Sequence, residues 1–214
     1  MQTIPTIVSE DMTVSPDFIY LASQSPRRSQ LLDQLGVRHQ LLLADADEDA
    51  EALEVQLRNE APKTYVQRVT GLKLEAALQR MARRKLPAAP VLCADTTVAL
   101  GRTIFGKPED AEDAKRMLRA LANRPHRVMT AVAVGWEHGQ AHACSESWVT
   151  FGDLSEADIA AYVATGEPMG KAGAYAVQGV AAAHIAHVSG SYSGIMGLPL
   201  FETAKALRSL GVRF

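Results

Sequence analysis

Cysteine is scarce in this chain: Cys93 and Cys144 are the only two among 214 residues. Both sit in apolar, strand-like runs without metal-ligand spacing, which argues against a disulfide framework and suits buried free thiols in a reducing cytoplasm. Aromatic residues make up 6% of the chain, and 22 Lys and Arg face 24 Asp and Glu for a net charge of -2. That composition lacks the basic, aromatic-studded face of a nucleic-acid-binding module and gives no general pull toward an anionic membrane. No apolar run approaches the ~18 residues of a membrane span. Residues 1–16 are polar with scattered acids, unlike a secretory signal, and are expected to be a flexible arm ahead of a single domain over 17–214.

What remains is a chain with 47% hydrophobic residues, enough to bury a substantial core. Apolar runs at Phe18–Ala22, Gln40–Leu43 and Val91–Leu100 read as strands, the last as a buried central one. Helical spacing follows Pro26, Pro62, Asp110, Ser155 and Pro199, with Ser25 and Asp110 as N-caps and Ser155 to Asp158 as a near capping box. Arg127–Trp136 and Ala141–Phe151 read as a hairpin turning near His138, and Ala183–Val188 as a further strand between two glycine-punctuated loops, 170–179 and 190–197. Strands alternating with helices, interrupted by one hairpin, predict an α/β fold around a mixed sheet flanked by helices. Trp136 and Trp148 are expected in the hairpin core, with a homodimer surface as the alternative.

Arg27 and Arg28 fall in the first turn of the first helix, where exposed N–H groups already make the helix end positive. Two added cations cost stability there unless something negatively charged is near. A strand feeding a helix start with Ser23, Ser25, free amides and two guanidiniums describes a phosphate site. The plain alternative is a solvated arginine pair.

Asp95 interrupts the most apolar run of the chain, where an ionised carboxylate is costly unless paired, metal-bound or open to a cleft. General-base duty on a water, or metal ligation, would suit it, with the hydroxyl of Thr96 beside it. Lys107, stiffened by Pro108, offers a point charge to a polyphosphate oxygen, while Lys73 lies among the apolar residues of the long helix and either snorkels out or reaches a cleft. The acidic loop with Asp45, Asp47, Glu48, Asp49 and Glu51 could help hold a divalent cation if Glu48 faces the same cleft as Asp95. In the loop 171–179, small residues flank Gln178, whose amide could read a nucleobase edge or simply cap the backbone.

Together these segments resemble the Maf family of nucleoside triphosphate pyrophosphatases, once named for a septum-formation phenotype. The resemblance is carried by Leu21–Arg28, Ala94–Thr96, Gly106–Pro108, His126–Thr130, the run from Gly166 through Gly179 and Gly190–Glu202, in the family order. It implies a Maf/ITPase-like fold with a cleft between two lobes. It also implies cleavage of the α–β phosphate bond, releasing a nucleoside monophosphate and pyrophosphate with a divalent metal, Mg²⁺ or Mn²⁺. By resemblance Asp95 is the proton acceptor, Arg27, Thr96 and Gln178 discriminate substrates, and Ser23, Arg28, Glu48, Lys73 and Lys107 line the cleft. The context of Gln178 looks like the branch acting on dTTP and UTP, with modified pyrimidine nucleotides as further candidates. The chain departs from the family pattern at Ala176, at Pro125 and in residues 1–16, which touches the shape of the base pocket more than the reaction. The expectation is a cytoplasmic hydrolase in which a metal-bound triphosphate is held by Arg27, Arg28, Ser25 and Lys107 while Asp95 and Glu48 serve the metal. The alternatives are a covalent nucleophile at Ser25 and a non-hydrolytic nucleotide-binding regulator of cell division.

Overall fold

The computed structural model describes residues 17–45, 48, 52–137 and 139–214. The expected N-terminal arm, the loop acids Asp47, Asp49 and Glu51, and His138 at the hairpin turn lie outside the described residues.

Seven strands form one mixed sheet. Strands β1 (Ile19–Leu21), β2 (His39–Leu41) and β3 (Val91–Leu100) pair in parallel, with β1 in the middle. The long hairpin β5 (Pro125–Trp136) and β6 (Gly139–Phe151) extends the sheet antiparallel to β3, and β7 (Ile185–Ser189) closes that edge. A short strand β4 (Thr103–Phe105) folds back on the end of β3. Helices α1 (Pro26–Gln34), α2 (Pro62–Arg83), α3 (Ala111–Leu121), α4 (Glu156–Ala164), α5 (Tyr192–Met196) and α6 (Leu200–Ser209) flank the sheet.

The strand period of two sorts β3 onto two faces. Leu92 and Ala94 meet Leu31 and Leu32 of α1 and Leu207 of α6, whereas Val98, on the same face but farther along, meets Met117 of α3, Ile159 of α4 and Tyr175. On the other face Val91 and Cys93 pack on Leu74 and Ala77 of α2, and Ala99 packs on Val66 and Val69 of the same helix. One helix thus covers both ends of one face, while on the other face different helices cover the two ends and leave a gap between them. Each buried leucine or valine contributes roughly 1.5–3 kcal/mol, so both halves are held independently of the gap between them. Apart from its last residue, Leu100, β3 is buried except at Asp95 and Thr96, and the gap crosses the strand there.

Several expectations are refined. Asp110 accepts the amide of Asp113, and Ser155 with Asp158 completes a full capping box. Ser25 has the extended backbone of an N-cap but makes no capping bond; its own N–H donates to Ser23 Oγ at 3.2 Å. The second glycine-punctuated loop contains α5, whose Ser191 cap accepts from Gly194, and the last strand begins at Ile185 after a 3₁₀ turn over Val180–His184. Trp148 is not a core residue: it is 45% exposed on the outward face of β6, and Trp136 is only partly buried.

Candidate active site

The gap opens into a cleft of about 1220 Å³. Ser23, Ser25, Arg27, Arg28, Glu48, Lys73, Asp95, Thr96 and Lys107 all line it, from five separate stretches of chain. Gln178 is not brought there. Val177 turns inward and lines the cleft, so the next side chain points out, and Gln178 is exposed beyond it. This part of the chain reaches the cleft instead through Met169, Lys171, Ala172 and Tyr175.

Arg28 anchors one wall. Its Nε donates to the Gly197 carbonyl at 2.8 Å, Nη1 to Ser23 Oγ at 3.1 Å and Nη2 to Thr96 Oγ1 at 3.3 Å. The neighbouring Arg27 Nε donates to the Met196 carbonyl at 3.3 Å. Both guanidiniums therefore rest on carbonyls at the C-terminal end of α5, the negative end of a helix, which offsets part of their misplacement at the start of α1. Burial lowers the pKa of each, so these are cations drawn out of water with donors to spare. Thr130 donates its hydroxyl proton to the Gly194 carbonyl at 2.7 Å, so the 2.9 Å contact between Thr96 and Thr130 has Thr96 as donor. Thr96 Oγ1 is then an acceptor toward Arg28, and its orientation is fixed.

Asp95 points to the α2 side, as its odd position in β3 requires. Its Oδ1 lies 2.6 Å from Lys73 Nζ, and the same ammonium donates to Glu54 Oε1 at 2.7 Å. Burial opposes the charge on Lys73, but the two carboxylates outweigh it and raise its pKa. Lys73 thus reaches the cleft and does not snorkel away from it. Lys107 comes in from the opposite rim, its Nζ 4.0 Å from Glu54 Oε2. The backbone beside it is held by the Gly173 N–H, which donates to the Gly106 carbonyl at 3.0 Å. Glu54 is an acidic cleft residue that the sequence did not disclose. It sits in a 3₁₀ turn over Ala52–Glu54 after the acidic loop, and nothing in that stretch marks one acid above the others. The one available signal is Lys73, a half-buried cation that takes more than one partner.

Glu48 faces the cleft but is already engaged. Arg80 Nε donates to Oε1 at 2.9 Å and to Oε2 at 3.0 Å, and Arg83 Nη2 donates to Oε1 at 2.5 Å. The Arg80 hydrogen bonds, aided by Arg83, pull its carboxyl down to about 2. Among the described residues no group of three or more His, Cys, Asp or Glu is placed to enclose a metal ion. Any cation held here would take its remaining ligands from water or from a bound phosphate.

The family described as Maf-like protein matches residues 18–210. The dTTP/UTP pyrophosphatase of Albidiferax ferrireducens is 69% identical over 197 residues, covering 92% of this chain and 98% of that protein. The dTTP/UTP pyrophosphatase of Burkholderia pseudomallei strain K96243 is 56% identical over 207 residues, covering 96% and 99%. Among solved structures, that of the Staphylococcus aureus Ham1 protein overlaps with a TM-score of 0.40 at 12% identity, over 63% of this chain and 72% of that one.

Proposed function

This chain belongs to the Maf-like protein family, and from that premise we propose that it hydrolyses dTTP and UTP to the nucleoside monophosphate and pyrophosphate. The observation that carries the reading is the cleft itself, where the Asp95 carboxylate shares one hollow with Arg27, Arg28, Lys73 and Lys107. In the reaction, water attacks the α-phosphorus, its proton passes to Asp95, and the bond from that phosphorus to the α–β bridging oxygen breaks as pyrophosphate leaves. Lys73 engages Oδ1 of Asp95 and holds the carboxylate in place, so Oδ2 takes the proton. Arg27 and Arg28 hold phosphate oxygens from the start of α1, and Lys107 holds them from the opposite rim. Preorganised cations of this kind supply most of the stabilisation that phosphoryl-type chemistry needs.

A divalent cation, Mg²⁺ or Mn²⁺, when bound would neutralise charge on the phosphate oxygens. Asp95 and Glu54 are the residues that would hold it, since their hard carboxylate oxygens face the cleft and Mg²⁺ asks for only one or two such groups beside substrate phosphates. Glu48, claimed by two arginines, is less suited to that task. Two free thiols, Cys93 and Cys144, go with a cytoplasmic setting, and no described helix is long and apolar enough to cross a membrane.

The test is pyrophosphate release from UTP and dTTP by the protein and by Asp95→Asn. Loss of a positioned base lowers turnover by roughly 10²–10⁴-fold. Equal rates would remove Asp95 from its role, and no release by the unaltered chain would refute the function.

A further inference from the structure

Glu167 lies outside the lining of the cleft, yet it closes the loop that supplies part of the wall. Its Oε1 accepts the hydroxyl proton of Tyr162, a buried residue of α4, at 2.9 Å, and its Oε2 accepts the Val180 N–H at 3.0 Å. The two ends of the segment 168–179 are thereby pinned to one carboxylate, the closure that defines an Ω-loop. Burial works against the charge, but the Val180 N–H and the Tyr162 hydroxyl outweigh it and hold the carboxyl below the usual glutamate range. The fit is close: a Cβ on Gly179 would lie 2.2 Å from Glu167 Oε1 and 2.4 Å from Oε2. Gly179 has φ -97, which other residues adopt, so it is the carboxylate and not the backbone that requires glycine there.

Ala172, Tyr175 and Val177 of this loop line the cleft, and with Val98, Phe105 and Ile195 they make its apolar part. The cations assigned to the phosphates, Arg27, Arg28, Lys73 and Lys107, come from other segments of the chain. Lys171, which also borders the cleft, donates to the Met169 carbonyl of its own loop at 3.3 Å. Of a nucleoside triphosphate only the nucleoside offers apolar surface, so base and sugar rest against this wall. We infer that Glu167 is a positioning residue that bolts both ends of the loop, fixes its apolar wall and so sets the affinity for the nucleoside while leaving the phosphate grip alone. This rests on the pyrophosphatase reading and adds to it a residue that acts without touching the substrate.

The test compares kcat and KM for UTP with the inhibition constant of inorganic tripolyphosphate, a probe that has the phosphates but no nucleoside, at a temperature where every variant is folded. Glu167→Ala is expected to raise KM about tenfold, with kcat and the tripolyphosphate constant changed less than about twofold. Glu167→Gln, whose amide can accept from Val180 and donate to Tyr162, keeps KM near that of the unaltered protein. Gly179→Ala pushes the carboxylate off its donors and raises KM as Glu167→Ala does. In the Glu167→Ala background it adds nothing further, because the new methyl enters vacated space. The inference is overturned if Glu167→Ala leaves KM unchanged, as a merely structural contact would, if KM and the tripolyphosphate constant rise together, or if Glu167→Gln is equally impaired. Should Glu167→Ala not fold, Gly179→Ala carries the same comparison, and an unchanged KM in it overturns the inference. A failure of the underlying reading looks different: the unaltered protein releases no pyrophosphate from UTP.

Discussion

Lys73 Nζ lies 2.6 Å from Asp95 Oδ1, an ion pair that fastens the long helix to the middle of the central strand. The side chains are 20% and 14% exposed, so the pair is neither dry nor free in solvent. Lys73→Met strands the Asp95 charge and is expected to cost about 1–3 kcal/mol, less than a fully buried pair would lose because the cleft admits water. Adding Asp95→Asn should return part of that loss. Urea denaturation of the two single variants and the double variant checks this, and strict additivity would mean the two groups are not coupled.

Arg28 makes three side-chain hydrogen bonds and Arg27 makes one. An ammonium cannot reproduce a planar fork that reaches Gly197, Ser23 and Thr96 together. Arg28→Lys should therefore lower the urea midpoint and raise KM for UTP about tenfold, whereas Arg27→Lys raises KM with little change in stability. Comparable destabilisation by both would contradict the division of labour drawn from their contacts.

His126 is fully buried, its Nε2 2.8 Å from Tyr175 Oη, and burial pushes the ring down to about 4 against the weaker pull of its bond to the Arg124 carbonyl. In the unfolded chain the ring titrates near 6.5, so between pH 6.5 and 4 the unfolded state binds a proton that the folded state refuses. Stability is complete above that window and falls by about 3 kcal/mol as pH drops through it. His126→Gln can still meet Tyr175 but cannot titrate. The difference between its unfolding free energy and that of the unaltered chain should shrink from pH 7 to pH 4.5, and a constant difference would rule the ring out as the cause.

Gly173 has φ +69, and a Cβ there would lie 2.8 Å from Val98 Cγ1. Gly36 has φ +74 with nothing within 4 Å of such an atom. Gly36→Ala pays only for the left-handed backbone, about 1 kcal/mol. Gly173→Ala adds a clash with the core and disturbs the bond from Gly173 to Gly106, next to Lys107. Its cost should exceed that of Gly36→Ala by about 1–3 kcal/mol, with a raised KM as well; thermal melts and UTP kinetics on both variants decide.

Gln178 lies outside the lining of the cleft and is exposed. Gln178→Ala is expected to leave kcat and KM for UTP and dTTP within about twofold of the unaltered protein, inside the small range usual for surface changes. A tenfold loss for either nucleotide would bring the residue back into base recognition.

Much of the site was legible because its residues break local rules. Asp95 stands out in an apolar strand, and the two arginines stand out at a helix start. Glu54 was not legible, because its meaning lies in Lys73, 19 residues later, and its own surroundings are uniformly acidic. Gln178 was misplaced for a related reason: the composition of its loop shows that a backbone can come close to a ligand, but not which residue faces inward. The short elements β4 and α5 were hidden as well. Three residues ending at Phe105 and five beginning at Tyr192 are too few to show a period, and only pairing with β3 and the Ser191 cap settle them. The side-chain capping bond expected of Ser25 is absent: the Arg28 N–H that it would accept donates to the Ser25 carbonyl at 3.2 Å instead.

β3 and β5 run unbroken from one half of the core to the other, and both halves hang on this pair of rods. The two walls of the cleft are therefore carried by one continuous pair of strands rather than by bodies joined through a flexible link.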